Sequence, residues 1–296
     1  MSRRPFGAIT LYRLRPSDIE ALILALRNKG LSDSTVRQVY TILRAGLDGA
    51  LRDGLIARNP AMVVKRPGVA HKETRHLDAG EVAAVLKAAE GSRYYAALAL
   101  IASTGMRRGE ALALRWEDVD LDARVLRVCS TVTRIGKRLV ITEPKSAKAR
   151  RPIPLSPAVV TLLRKHRTAQ KAERLRAANQ WTDSGLVFTT QFGTTVEPHS
   201  LLRVAREAAR SAGIDGAGVH GLRHAVSVGW LESGVHIKAV ADLMGHGSIA
   251  ITGDVYGHVS DMAARSAVDG WSGGAWTVTT GPSWLLLSVI CPSVRT

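Results

Sequence analysis

The sequence predicts a mainly α-helical protein with a small three-stranded antiparallel sheet set between two helical stretches. Three observations lead there. Apolar residues recur at three- and four-residue intervals behind capping residues up to about residue 120. Residues 124 to 155 instead alternate and are rich in Val, Ile and Thr, and helical spacing resumes at Ser156.

Taken in order, RPSDIEALILALRNKG sets Ser17 and Glu20 three positions apart, the pattern of a capping box, ahead of an apolar period that stops at Gly30. A second helix is expected over LSDSTVRQVYTILRAGLDGALRDG, with Ser32 or Ser34 as N-cap and an apolar face through Val36, Val39, Ile42, Leu43 and Leu47, closed by Gly54. Asn59-Pro60 and Arg66-Pro67 then interrupt it, because a residue before proline is pushed out of the α region. The expected organisation is a helical domain over 1–67, a linker at 68–76, a second domain over 77–268 and an atypical Gly- and Trp-rich tail at 269–296.

The second domain opens on another box, Asp78 with Glu81. SRYYAALALIASTG is apolar on almost every face and is therefore central to the core. MRRGEALALRWEDVD predicts a helix that opens at Gly105 and carries Arg107 in its first turn. The alternating residues 124 to 155 predict three strands with turns at IGK and KSAKA. Helices follow, interrupted by LVFTTQFGTTV at 186 to 196, after which Pro198 suits the first turn of the next helix.

Charge narrows the partner. There are 41 Lys plus Arg against 25 Asp plus Glu, a formal net charge of +16, so the field attracts polyanions and nucleic acid is the leading partner. The basic residues are spread along the chain, unlike the one-sided helix of a membrane-surface protein. Cys129 and Cys291 fit neither a disulfide framework nor a zinc knuckle, consistent with a reducing cytoplasm. MSRRPFGAITLYRLRP lacks an apolar export core, and WLLLSVIC at 284 to 291 is far short of the roughly 20 residues of a membrane span, so neither export nor insertion is expected.

The chemistry concentrates around HGLRHA. His220 and His224 stand four apart, as zinc ligands on a helix do, but Gly221 sits where that pattern needs Glu, and Arg223 would repel a cation. A buried, backbone-satisfying histidine pair is a second reading. The third is an anion grip, since an arginine fork matches phosphate oxygens and a neighbouring histidine can move a proton. That reading requires further partners, and three segments supply candidates: TGMRRGE with Arg107, PKSAKARRPIPL with Lys145, and GHGSIAITGDVY with His246 and Tyr256.

In order, spacing and residue type these segments resemble the tyrosine recombinases, or phage integrases. That family's catalytic signature is an arginine box, a hairpin lysine, an H-x-L-R-H box and a GH box with a tyrosine ten residues on. The resemblance runs from about residue 6 to 265 and implies a tyrosine-recombinase catalytic domain preceded by a partial helical core-binding domain. It implies that Arg107 and Arg223 bind the scissile phosphate, that Lys145 protonates the leaving 5′ oxygen, that His220 assists proton transfer, that His246 donates a hydrogen bond and that Tyr256 is the nucleophile. A phenol of pKa ~10 is a weak nucleophile at neutral pH, so a dense cationic cluster is needed around it. Neither metal nor cofactor is implied, because the phosphotyrosyl link conserves the energy of the broken bond.

Lys148 and Arg108 lie beside Lys145 and Arg107 as competing assignments. His224 is expected to support the site from behind, and Glu110, Trp116 and Asp118 to pack and tie the helix that carries Arg107. Arg27, Lys29, Arg37 and Lys148 are candidate DNA contacts. The implied partners are double-stranded DNA at attachment sites, further copies in a homotetramer, and an accessory DNA-bending or excision factor. Compared with the family, the first domain is expected to be shortened and the tail to differ from the usual C-terminal end. The competing function is therefore a DNA-binding relic or accessory factor without strand exchange.

Overall fold

Pro16 opens helix α1 (Pro16–Asn28), because its fixed φ suits a first turn where its missing N–H has no partner to lose. Its N-cap is Arg15, two residues before the expected cap at Ser17. The Asp18 carboxylate, not that of Glu20, accepts the Arg15 N–H at 2.9 Å. Helix α2 (Asp33–Arg52) is capped by Ser32, whose hydroxyl accepts from Thr35 N–H. Its buried face runs through Val36, Tyr40, Leu47 and Ala50. Ile42, expected on that face, is 65% exposed. Tyr40 takes the inward place, with its hydroxyl 2.8 Å and 3.0 Å from the Ala61 and Val64 carbonyl oxygens. An aromatic with a polar tip can be buried when that tip finds a partner.

The computed structural model describes residues 6–69, 76–143 and 150–245. The chain divides into two compact units, Met1–Arg75 and His76–Thr296. Ile19, Tyr40, Leu47, Ala61 and Val64 form the core of the first.

In the second unit, Asp78 and Glu81 cap helix α3 (Ala79–Ala88) reciprocally: Asp78 Oδ1 accepts from Glu81 N–H at 2.8 Å, and Glu81 Oε2 from Asp78 N–H at 3.1 Å. Helix α4 (Tyr95–Thr104) buries every residue from Ala96 to Ile101 and is the centre of the core, as its composition predicts. It ends at Gly105, whose φ of +65° is the left-handed conformation that glycine tolerates. Arg107 is therefore not in the first turn of a helix opening at Gly105. It is the extended N-cap of a short helix α5 (Arg108–Ala113), because the Glu110 carboxylate accepts the Arg107 N–H at 2.9 Å and fixes the start there.

Strands β1 (Val119–Asp120), β2 (Val125–Val128), β3 (Thr131–Ile135), β4 (Arg138–Thr142) and β5 (Arg151–Pro154) follow. The expected small three-stranded antiparallel sheet is present, in the order β1-β2-β5, but its membership differs from the expectation. β3 and β4 form a separate hairpin around Gly136. The described residues between 124 and 155 thus hold four strands in two sheets, not three in one. Cys129 and Ser130 separate β2 from β3, so the chain changes sheets without breaking the alternation visible in sequence.

Helix α6 (Pro157–Ala177) begins behind Ser156, whose hydroxyl accepts from Val159 N–H. Its buried Gln170 accepts from the Trp116 indole at 2.7 Å and donates to the Leu186 and Val187 carbonyls. This ties the strand-like segment after 185 to the sheet side of the core. Helices α7 (Pro198–Ser211), α8 (Val219–Glu232) and α9 (Ile237–Met244) complete the described chain, with α8 packed along α4 and α9 against β5. Among the described residues, no helix is long and apolar enough to cross a membrane. The KSAKA turn and the 269–296 tail lie outside the described residues.

Two glycines separate close packing from open space. A Cβ on Gly109 would sit 2.5 Å from Thr131 Oγ1 and 2.8 Å from the Val132 carbonyl oxygen, because α5 rests directly on β3. A Cβ on Gly229, within α8, would meet nothing within 4 Å. Gly109→Val is expected to cost about 1–3 kcal/mol of stability. Gly229→Ala is expected to be stabilising by up to about 1 kcal/mol, as alanine replaces glycine in a helix. Urea denaturation of the two variants checks the opposite signs.

Candidate active site

Three arginines from three elements meet the end of one helix. Arg223, on α8, is 4% exposed and donates through Nη2 to the Met244 carbonyl at 2.7 Å and through Nη1 to the Gly105 carbonyl. Arg107, the cap of α5, donates through Nη2 to the Gly245 carbonyl at 2.9 Å and through Nη1 to Glu110 Oε1 at 2.9 Å. Arg151, on β5, donates through Nε to the Leu243 carbonyl at 2.5 Å. The last carbonyls of a helix have no intrahelical partner and carry the negative end of its dipole. Three consecutive ones here are each taken by a different guanidinium.

Gly245 makes this approach possible. Its φ is +63°, and a Cβ there would lie 2.7 Å from Arg151 Nη1 and 3.3 Å from Arg107 Nη1. Glu110 balances the charge. It is 3% exposed and accepts from Arg151 Nη2 at 2.9 Å as well as from Arg107. Burial alone would raise the pKa of its carboxyl. The hydrogen bond and charge of Arg151, followed by the bonds from Arg107, outweigh burial and hold it below the usual carboxylate value.

The two buried arginines and the exposed one differ in reach. Arg107's side chain is 43% exposed, and Glu110 and Gly245 use two of its five N–H donors. Arg223 contributes a charge from inside the protein, where the low dielectric strengthens its field.

The histidines of HGLRHA occupy different surroundings. His220 is exposed on the first turn of α8, whereas His224 is partly buried with the His76 ring edge-on at 6.4 Å. Desolvation first, then His220 and His76, lower the pKa of His224. Desolvation likewise lowers that of His166, whose Nε2 lies 2.8 Å from the Val187 carbonyl. Among the described residues, no group of three or more His, Cys, Asp or Glu side chains is arranged to hold a metal.

These two shifts carry a sign. Folded-state values below the ordinary 6.5 mean that the unfolded chain binds more protons, so the associated stability is fully present above pH 6.5 and is lost as pH falls below it. The melting temperature should fall from about pH 7 to about pH 5.5, and the fall should be shallower in His166→Gln/His224→Gln. A slope unchanged by the double substitution would contradict the assignment.

Of the residues singled out in sequence, Arg107 and Arg223 are brought together on the α9 terminus, with His220 one turn from Arg223 on α8. Lys145, Lys148, His246 and Tyr256 lie outside the described residues. In the first unit, Arg27 pairs with Asp33 at 3.2 Å, Arg37 donates to the Pro67 carbonyl at 2.8 Å, and Lys29 is exposed. Arg151 and Gly245 were not anticipated. The signal for Arg151 was an arginine at an inward-facing position of a strand, two residues from buried Ile153.

Guanidinium groups from three elements thus converge on one helix end, the Arg107 side chain half-open to solvent and Arg223 one turn along α8 from the exposed His220. The chain belongs to the phage integrase family, which matches residues 75–262, and it is thereby an enzyme of the tyrosine-recombinase class. It is 29% identical over 282 residues to a XerC-like tyrosine recombinase of Caldanaerobacter subterraneus subsp. tengcongensis, covering 88% of this chain and 72% of that protein. It is also 29% identical over 321 residues to an integrase of Saccharopolyspora erythraea, covering 89% and 72%. Among solved structures, it resembles the Tn1549 transposon integrase in complex with transposon right end DNA (TM-score 0.77, 22% identity, 90% of this chain and 88% of that one). A lambda integrase tetramer bound to a Holliday junction is similar over 80% of this chain and 65% of that one (TM-score 0.61, 18% identity). At these identities the solved structures bear on the fold.

Proposed function

We propose that the protein is a site-specific DNA recombinase of integrase type that cuts and rejoins strands through a 3′-phosphotyrosyl intermediate on Tyr256. The observation that carries this reading is the pairing of Arg107 and Arg223 on adjacent carbonyls, Gly245 and Met244, directly before the segment that holds His246 and Tyr256. In the proposed reaction the Tyr256 oxygen attacks the scissile phosphorus and the bond from phosphorus to the 5′ oxygen breaks. Lys145 supplies a proton to that leaving oxygen, and His220 assists removal of the phenolic proton. Arg107 and Arg223 bind the non-bridging oxygens, where negative charge grows in the transition state, and His246 adds a hydrogen bond. Attack by a free 5′ hydroxyl from another strand reverses the chemistry and releases Tyr256.

Residues 77–268 are the proposed catalytic domain and residues 1–67 a DNA-gripping domain joined to it by a linker at 68–76. Arg27, Lys29, Arg37 and Lys148 are proposed to meet backbone phosphates, and 269–296 is a tail to which we assign no role. The working partner is double-stranded DNA at attachment sites in the cytoplasm, bound by a homotetramer with an accessory bending or excision factor. A net charge of +16 supports a DNA affinity that falls steeply with salt.

The test is a nicked suicide duplex drawn from the DNA flanking the protein's own gene, mixed with the purified protein and run on a denaturing gel. The expected result is a protein–DNA adduct with the wild-type chain and none with Tyr256→Phe, although both bind the duplex. A duplex that is bound but never covalently attached would leave a DNA-binding relic or accessory factor as the function.

A further inference from the structure

We infer that Arg151 is a positioning residue for strand cleavage, holding α5 and the end of α9 in the one register that presents Arg107 to the phosphate. The inference rests on the recombinase reading. With 7% of its surface exposed, Arg151 is not placed to touch DNA. Its guanidinium instead joins three elements: it grows from β5, grips both oxygens of Glu110 on α5 at 2.9 Å and 3.3 Å, and donates to the Leu243 carbonyl on α9.

Those bonds close a ring. Arg151 holds Glu110, Glu110 accepts both the backbone N–H and the Nη1 of Arg107, and Arg107 Nη2 returns to Gly245, two residues from Leu243. A shift of α9 relative to α5 therefore has to break at least one charge-assisted hydrogen bond. Such bonds are directional, so the ring fixes orientation as well as distance. Without Arg151, Glu110 would keep Arg107 as its partner and the core would keep its apolar contacts, but the α9 terminus would be tied to Glu110 only through the half-exposed Arg107 side chain.

The chemistry of the side chain matters. Lysine at this position carries one compact ammonium and cannot present the planar fork that meets a carboxylate and a carbonyl together. Arg151→Lys should therefore behave as a loss of position and not as a conservative exchange. Misplacement of a reacting group by about 1 Å costs on the order of 100-fold in rate.

The experiment measures single-turnover adduct formation at saturating suicide duplex for the wild type, Arg151→Lys and Arg151→Met, alongside DNA affinity and thermal melting. The expected result is a fall in cleavage rate of roughly 10- to 100-fold in both variants, with affinity within about threefold of wild type and a cooperative melt retained. Wild-type rates in either folded variant would overturn the inference. So would a joint loss of folding, binding and cleavage in both, which would make Arg151 a structural residue only. Absence of an adduct from the wild type would remove the recombinase reading and this inference with it, whereas a wild-type adduct with unchanged variants would remove this inference alone.

Discussion

Arg223→Gln is expected to lower the rate of covalent DNA attachment by a factor on the order of 100 to 1,000, the size of effect seen when one preorganised donor to a developing oxyanion is lost. The structure gives two reasons for an effect of that size. Arg223 is 4% exposed, so its charge acts in a low-dielectric setting, and a glutamine amide is neutral. The same guanidinium holds the Gly105 and Met244 carbonyls, which belong to the turns leading to Arg107 and out of α9. The substitution thus removes a charge and loosens the frame that carries its partner. Single-turnover cleavage with saturating DNA measures it, and a residual rate within about threefold of wild type would show that Arg223 serves the fold alone.

Glu110→Ala is expected to cost about 3–5 kcal/mol of stability, because it removes a carboxylate that is itself buried and paired with the buried Arg151. The cost of removing one member of a buried pair exceeds the worth of the pair itself, since the survivor keeps its desolvation penalty. Glu110 also holds the N-terminus of α5 through the Arg107 N–H, and alanine cannot accept that bond. Urea denaturation at pH 7 reads the loss. A pH series reads its origin. The Glu110 carboxyl titrates below its ordinary value, so its contribution is present above about pH 4.5 and disappears as the pH falls through the folded value. The gap between wild type and Glu110→Ala should therefore narrow in acid.

The parts of this molecule that sequence made legible are those set by local rules. Asp78 with Glu81 capped a helix as read, because both halves of the exchange lie within four residues. The all-apolar stretch of α4 lay at the centre because no face of it suits water. Arg107 and Arg223 were identifiable through the order of boxes around them, which survives even where helix starts are misjudged. What was not legible depends on pairing at long range. The alternation over 124 to 155 is the same whether the strands form one sheet or two, so nothing local told β2 to pair with β5 in place of β3. Tyr40 displaced Ile42 from the first core because carbonyls at Ala61 and Val64 receive its hydroxyl, and those lie more than twenty residues away. Arg151 stood in plain view in ARRPIPL, but its meaning comes from Glu110 and Leu243, 41 and 92 residues distant.

Covalent joining of Tyr256 to DNA is tested by digesting the wild-type adduct and identifying the linked amino acid and DNA end by mass spectrometry. One modified peptide is expected, containing Tyr256 joined through its phenolic oxygen to a 3′ phosphate, with a free 5′ hydroxyl on the released strand. A link to another residue, or to a 5′ phosphate, would contradict it.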